Sequence, residues 1–389
     1  MSSKAKISIL STNLSTNCTN RCLRLAQALQ PHYRVELIGP TFGVGTRAGE
    51  GLWPPLAGVD IAVRSVRGDR LPGFLPDVAR LLRMADGDVL LACKPRFPSY
   101  GVALIKRTLS GKPVVLDVDD DELAMTLPGK NAVWYRKLLH TEAYLHTRWV
   151  HRLHSRADAT LVVSKNFRQR YGGTLIPHPM DGRELAPGHF APGPIRAELG
   201  IGEQQVVLGF MGTPNPHKGI DLILAALERI NRPELMALVV GASANDPYTA
   251  ELASRYGPRL RLLPMQPLAR IPYFLAAMDL VALPQRAGAE TWGQMPAKLT
   301  DAMAMAKPIL AAATADIADY LDGRGLVFEP GDLDGFVTKV EWFLAHRAQA
   351  HAMGLQARRY FESHLDMPVI GDQLQGIIEP LLPRSLRRD

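Results

Sequence analysis

The stretch VVLGFMGTPNPHKGIDLILAALERI, Val206 to Ile230, decides the fold class. Its first residues, through Met211, are apolar without alternation, as in a strand covered by helices on both faces. A loop holding Gly212, Pro214 and Pro216 follows, and then Ile220, Ile223, Leu227 and Ile230 recur at helical spacing. Strand, loop and helix in that order place Lys218, with the free N–H groups of the helix start, at the carboxyl end of a sheet. That is a place to hold a phosphate, with His217 able to assist. The same residues are also compatible with a solvated lysine at a helix start.

Working outward, short apolar runs alternate with stretches of helical period along the whole chain. Candidate strands are Lys6 to Leu10, Val35 to Ile38, Asp88 to Ala92, Pro113 to Val118 and Thr160 to Val163 in the first half. In the second they are Val206 to Phe210, Ala237 to Val240, Leu260 to Leu263, Leu280 to Leu283 and Pro308 to Ala311. This is a parallel α/β pattern, and it occurs twice. A chain of 389 residues is too long for one ordinary core. The Pro- and Gly-dense run APGHFAPGP, Ala186 to Pro194, resembles a linker. The expected division is an N-terminal domain over 1–189, a second domain over 190–365, and a helical segment over 366–389 able to pack back on the first. Two doubly wound domains of this kind leave an interdomain cleft at the carboxyl ends of their strands, where ligands bind.

A second stretch, AETWGQMPAKLTDAMAMAKPILA from Ala289 to Ala311, completes the site. The strand Leu280 to Leu283 leads into a polar loop and a short helix with Leu299, Ala302, Met303 and Ala306 on one face. Glu290 and Asp301 are the carboxylates within reach of a ligand there. Carboxylates accept hydrogen bonds from sugar or ribose hydroxyls, and loop N–H groups can hold a diphosphate. Two acids beside a short helix are also an ordinary surface pattern.

Taken together, MGTPNPHKGIDLI and PAKLTDAMAMAKPILA resemble the retaining nucleotide-sugar glycosyltransferases of family 4, with weaker echoes in ADATLVVS, LIPHPMD and VFEPGDLDGF. The resemblance implies a GT-B fold, two Rossmann-like domains, and transfer of a sugar from a nucleoside diphosphate donor to a hydroxyl acceptor in bacterial-type glycan or glycolipid synthesis. It implies that Lys218 binds the donor diphosphate, Asp301 the ribose and Glu290 the sugar hydroxyls, with Lys218 and Glu290 the catalytic pair. Loop N–H groups around Trp292, Gly293 and Gln294 would lie against sugar and phosphate, and His217 and Lys298 would support the phosphates. No cofactor or essential metal is implied. Three features depart from the family pattern. Thr213 stands where the family has an Arg, Glu290 and Asp301 are separated by ten residues rather than seven, and the loop STNLSTNCTN from Ser11 lacks glycine. Ser11, Thr12, Asn13 and Ser15 are candidates to replace backbone phosphate contacts with side chains. The rival reading is a nucleotide-sugar-binding protein without transferase activity. A dehydrogenase ranks last, because no GxGxxG follows the first strand.

The N-terminal half should supply the acceptor side. VVLDVDDDELA sets Asp117, Asp119, Asp120 and Asp121 at a strand end, and with Asn13 the pair Asp119 and Asp120 are the acceptor-side candidates. An Asp cluster also suits magnesium or helix capping. A helix is expected from Trp134 to His154, with Trp134, Leu138, Leu145, Trp149 and Leu153 on one stripe and Lys137, His140, Tyr144, Arg148 and His151 on another. Its apolar stripe suits either the core or, with its basic neighbours, an anionic membrane surface. Forty-five Lys and Arg against 38 Asp and Glu give a net charge of +7, which favours anionic partners. Charge alone does not choose among nucleic acid, phosphorylated substrates and acidic lipid surfaces; the partners expected are the nucleotide sugar and an anionic membrane surface, and no nucleic acid. The acceptor is a glycan, a lipid-linked or a small hydroxyl compound. No run approaches a bilayer span, and MSSKAKISILS lacks the apolar core of a signal peptide, so the expected location is cytoplasmic, including the inner face of the membrane. Cys18, Cys22 and Cys93 read as reduced packing residues.

Overall fold

The computed structural model describes residues 4–42, 51–68, 71–126, 144–243 and 246–387. The chain divides into two units, Met1–Pro179 with Met367–Asp389, and Met180–Asp366. In the first, the strands are β1 Lys6–Leu10, β2 Arg34–Thr41, β3 Ala62–Arg67, β4 Val89–Cys93, β5 Val114–Val118, β6 Ala159–Val162 and β7 Thr174–Leu175. They form a seven-stranded sheet in the order β3-β2-β1-β4-β5-β6-β7. Its strand pairs are parallel, with Ile7 of β1 opposite Val35 on one side and Val89 on the other. In the second unit, β8 Val206–Met211, β9 Leu235–Val240, β10 Leu260–Leu263, β11 Leu280–Leu283, β12 Ile309–Ala312 and β13 Leu326–Phe328 give a six-stranded sheet, β10-β9-β8-β11-β12-β13. In each sheet the first strand lies between neighbours reached in opposite directions. The switch point of a doubly wound sheet is therefore at the ends of β1 and β4, and of β8 and β11.

All the expected strands are present, and those that composition did not reveal, β3, β7 and β13, are sheet edges. AVRSVR in β3 is mostly half-exposed, and β7 and β13 are only two and three residues long. Central strands are buried on both faces and must be apolar throughout, whereas an edge strand needs little more than a hydrogen-bonding partner. In the second unit Leu208, Phe210, Ile220, Ile223, Leu224, Leu227, Leu280 and Phe336 share one core. The helical spacing of Ile220–Ile230 thus reports the face it turns to this core.

The division at Pro179 and Met180 falls ahead of the expected residue 190. Met180 bridges Asp366, and the Gly182 N–H donates to Asp366 Oδ1 at 2.9 Å. Arg358 donates to the carbonyls of Leu185 and Gly182 at 2.8 and 3.1 Å. Pro187 and Pro192 of APGHFAPGP start short helices, Pro187–His189 and Pro192–Glu198, where a missing N–H costs nothing. Phe190 meets Tyr273 edge-on at 4.9 Å, so this run is packed structure rather than linker. The last segment joins the first unit: helix Met367–Ile378 lies against helix Asn20–Leu29, and the Tyr33 hydroxyl donates to Glu379 at 2.9 Å.

Of the helix expected over Trp134 to His154, residues up to 143 lie outside the described part, including Trp134, Lys137, Leu138 and His140. The described helix is Tyr144–His151. Its buried positions are Thr147 and Val150, while Leu145, Trp149 and Leu153 are 37%, 67% and 44% exposed. The described members of the apolar stripe therefore face outward. His151, assigned to the basic stripe, instead meets the Tyr171 hydroxyl at 2.8 Å. Among the described residues no helix is long and apolar enough to cross a membrane.

Candidate active site

In the second unit β8 ends at Met211, and the chain turns through a 3-10 turn, Pro216–Lys218, before helix Ile220–Ile230. Lys218 thus precedes the helix, and its N–H is taken by the Asn215 carbonyl at 2.8 Å, so its side chain is what it offers to a ligand. Gly219, at φ +71°, returns the chain so close to the β11 exit that a Cβ would stand 2.1 Å from the Pro284 carbonyl oxygen. Only glycine fits both demands. Gly212, at φ +125°, is crossed by the stem of Lys298, whose Cε a Cβ would meet at 2.1 Å. These two close approaches bring the lysines to one narrow pocket, lined by Phe210, Lys218, Leu283, Gln285, Pro296 and Lys298.

Lys218 Nζ donates to Gln294 Oε1 at 2.8 Å, and Gln285 Nε2 donates to the same oxygen at 3.3 Å. Lys298 Nζ stands 5.7 Å from the centre of the Phe210 ring. Two ammonium groups on one pocket repel each other, and an anion between them relieves that repulsion. His217 Nδ1 lies 3.2 Å from Glu290 Oε2. Burial, followed by the charge of Lys218, lowers the His217 pKa against the opposing pull of Glu290. Its ring is therefore neutral at pH 7, a hydrogen-bonding group rather than a third cation.

Of the expected donor residues, Lys218, Lys298 and Gln294 converge, with His217 and Glu290 paired beside them. Thr213 is exposed, Trp292 is 38% exposed, Gly293 is buried, and Asp301 is half-buried on helix Ala297–Ala304. None of these four lines the lysine pocket. Sequence reading missed Phe210 and Gln285. The legible signal for Gln285 was its place: a polar residue two positions beyond an apolar strand, and only 3% exposed.

In the first unit the acidic run is already answered from within. Lys94, at φ +71° just past β4, sets its Nζ 2.9 Å from Asp119 Oδ1, 2.6 Å from Asp120 Oδ2 and 2.8 Å from Glu122 Oε1. Arg96 also pairs with Glu122. Arg21 grips Asp117 through Nε and Nη2 at 2.8 and 2.7 Å. Arg170 holds Asp121 at 2.6 Å, and Asp121 Oδ1 caps the short helix Glu122–Met125. Burial opposes the Lys94 charge, but the three carboxylates outweigh it and keep the ammonium well above its ordinary pKa. Burial, with the charges of Asp120 and Asp117 acting against the pull of Lys94, lifts Asp119 to about 7. Asp119, Asp120 and Glu122 have the grouping of a cation site, and the cation they surround is Lys94.

The loop after β1 holds itself. Asn13 Oδ1 accepts from the Ser15 N–H at 2.8 Å, Ser11 Oγ meets Thr19 Oγ1 at 3.0 Å, and Ser15 Oγ accepts from the Phe42 N–H at 3.0 Å. Asn13, Ser11 and Ser15, read as substitutes for glycine-loop phosphate contacts, are thus engaged in shaping their own loop.

Residues 205–346 match the family described as Glycosyl transferases group 1. The chain is 32% identical over 151 residues to a D-inositol 3-phosphate glycosyltransferase of Segniliparus rotundus, covering 35% of this chain and 32% of that protein. It is 26% identical over 226 residues to a GDP-mannose-dependent phosphatidylinositol monomannoside mannosyltransferase of Mycolicibacterium smegmatis, covering 54% and 59%. The chain thus spans between a third and three fifths of these relatives' lengths. In structure it is similar to Anabaena HepE in complex with UDP and glucose, with a TM-score of 0.73, 19% identity and coverage of 97% and 100%. It is also similar to sucrose-phosphate synthase of Thermosynechococcus elongatus, with a TM-score of 0.74, 16% identity and coverage of 97% and 99%. At such identities these likenesses establish the fold, the pair of Rossmann-like units called GT-B.

Proposed function

Starting from a GT-B chain whose second unit carries a glycosyl transferases group 1 domain, we propose that the protein is a retaining glycosyltransferase. It moves a sugar from a nucleoside diphosphate donor to a hydroxyl acceptor in glycan or glycolipid synthesis. The observation that carries this reading is the meeting of Lys218 and Lys298 in one pocket beyond the central strands β8 and β11. The bond from anomeric carbon to phosphate oxygen breaks with negative charge growing on the diphosphate, and two fixed ammonium groups stabilise that charge more in the transition state than in the ground state. Glu290, on the rim beside His217, takes the donor sugar hydroxyls, and Asp301 takes the ribose. The acceptor hydroxyl attacks from the face the leaving group departs, and its proton passes to the departing phosphate oxygen. No protein nucleophile and no essential metal enters the scheme.

The acceptor side falls to the first unit, where Asp120 is the half-buried member of the Lys94 cage and Asp119 the deeper one. The outward face of helix Tyr144–His151 supports a peripheral contact with anionic lipid. Trp149 and Leu145 supply apolar area, Arg148 and Arg152 are exposed beside them, and the Arg152 guanidinium lies 5.3 Å from the Trp149 ring centre. A thermal-shift screen of UDP- and GDP-sugars, followed by hydrolysis and transfer assays with the stabilising donor, tests the reading. A donor that stabilises the protein but is never turned over would make it a nucleotide-sugar-binding protein, the rival that the exposed Thr213 favours by leaving a family arginine unreplaced.

A further inference from the structure

Behind the turn that carries Lys218, the second unit has another cavity, open to solvent and of about 240 Å³. Its walls include Pro216, Asp221, Tyr248, Glu251, Arg255 and Arg286, together with Tyr256. Its chemistry is unlike that of the lysine pocket. Two arginines face two acids, and the charges are balanced locally. Arg286 pairs with Asp221, the Tyr248 hydroxyl approaches Asp221 Oδ1 at 3.4 Å, and Arg255 lies 3.6 Å from Glu228 and 5.0 Å from the Tyr256 ring centre. A phosphate or nucleotide would gain no net attraction there. A neutral ligand rich in hydroxyls would, because each hydroxyl both donates and accepts, and so meets carboxylate oxygens and guanidinium N–H groups in pairs. The tyrosines add ring surface for the C–H faces of such a ligand. The cavity has ample room for a sugar ring.

We propose that this cavity is a saccharide-binding subsite, separate from the donor pocket but sharing a wall with it. Pro216 lines one cavity and Lys218 the other, and so do Arg286 and Gln285. The Arg286 N–H donates to the His217 carbonyl at 2.9 Å, which ties the two shared segments together. A sugar held there rests on the outer side of the turn that presents Lys218. The role of the neighbouring pocket comes from the glycosyltransferase reading, while the saccharide assignment rests on the chemistry of this cavity.

The test is saturation-transfer NMR of the full chain with methyl α-D-glucopyranoside and methyl α-D-mannopyranoside, with UDP present throughout. Ring protons of at least one glycoside should receive saturation from wild type and equally from Lys218→Ala. Arg286→Ala and Tyr248→Ala should weaken the effect about tenfold, the scale of losing a hydrogen bond to a charged group. Arg286 is 46% exposed, so its variant tests the site even where Tyr248→Ala fails to fold, and Tyr248→Phe then separates hydroxyl from ring. No saturation from either glycoside, or saturation that survives Arg286→Ala and vanishes in Lys218→Ala, overturns the subsite. Calorimetry of UDP alone reports separately on the donor reading, so either can fail without the other.

Discussion

Two lysines stand beyond the carboxyl ends of central parallel strands, Lys94 after β4 and Lys218 after β8, and their surroundings differ. Lys94 is 7% exposed and enclosed by Asp119, Asp120 and Glu122. Lys218 meets the neutral amide of Gln294 and shares its pocket with a second cation, Lys298. Lysines beyond the carboxyl ends of central strands thus become a structural ammonium in one unit and part of a ligand-directed pair in the other. What separates them is charge compensation. A buried charge must be paired, and a fully paired ammonium has little net attraction left for an anionic ligand.

The largest effect that could break this contrast is expected at Lys94. Lys94→Met leaves buried carboxylates facing one another and should destabilise the first unit by about 3 to 5 kcal/mol, as removing one member of a buried pair does. Urea unfolding followed by hydrogen exchange in β4 and β5 measures it, and UDP binding by the folded variant should be retained. A loss below about 1 kcal/mol would mean that the cage is wet and Lys94 no more than a surface pair. Lys218→Ala should do the reverse. Nucleoside diphosphate affinity should fall by about 1.5 to 3 kcal/mol, the worth of a charge-assisted hydrogen bond, while the melting temperature barely moves. Calorimetry with UDP and GDP decides this, and unchanged affinity for both would remove Lys218 from the donor site.

Titration sharpens the same contrast. Asp119 has its pKa raised to about 7 from an ordinary 3.8, with burial the first cause. Between those values the folded chain keeps a proton that the unfolded chain has lost, so stability falls as pH rises through the window. From pH 5 to pH 7 the expected loss is about 2 kcal/mol, at roughly 1.4 kcal/mol per unit. Asp119→Asn should lack that slope. Parallel pH profiles of unfolding free energy for the two proteins would show that Asp119 is ionised throughout and that Lys94 satisfies all three acids at once.

The fold was legible because central strands such as VLLAC and VVLGFM have no solvent face and so must be apolar, a constraint that composition records directly. Edge strands β3, β7 and β13 escaped because that constraint lapses at a sheet edge. The lysine pocket was legible in Lys218 and Lys298 but not in Gln285 or Phe210, since an amide and a ring gain their roles only from the approach that Gly212 and Gly219 permit. Asp119 and Asp120 were visible as a run of acids, yet KPR after β4, which answers them, lies on a different strand. Such pairing is tertiary and leaves no spacing to count. The outward turn of Trp149 has the same origin, because spacing groups residues on a helix face without saying which face the rest of the unit covers.

The smallest effect concerns Glu290, and it tests whether charge compensation governs the second unit as it does the first. Glu290 lies 3.2 Å from His217 Nδ1, with the two side chains 48% and 32% exposed. An exposed pair of this kind contributes at most about 1 kcal/mol to stability, so Glu290→Gln should fold normally. Removing its negative charge from beside the lysine pocket should leave UDP binding unchanged or strengthen it by less than about 1 kcal/mol, an effect that shrinks in high salt. Transfer from the nucleotide sugar should nevertheless fall, because a neutral amide is a weaker acceptor for a sugar hydroxyl than a carboxylate. Tighter nucleotide binding with slower transfer would assign Glu290 to the sugar and leave the diphosphate to the lysines. Weaker UDP binding in the variant would instead show that Glu290 orients His217 toward the diphosphate, and the sugar hydroxyls would then need another partner.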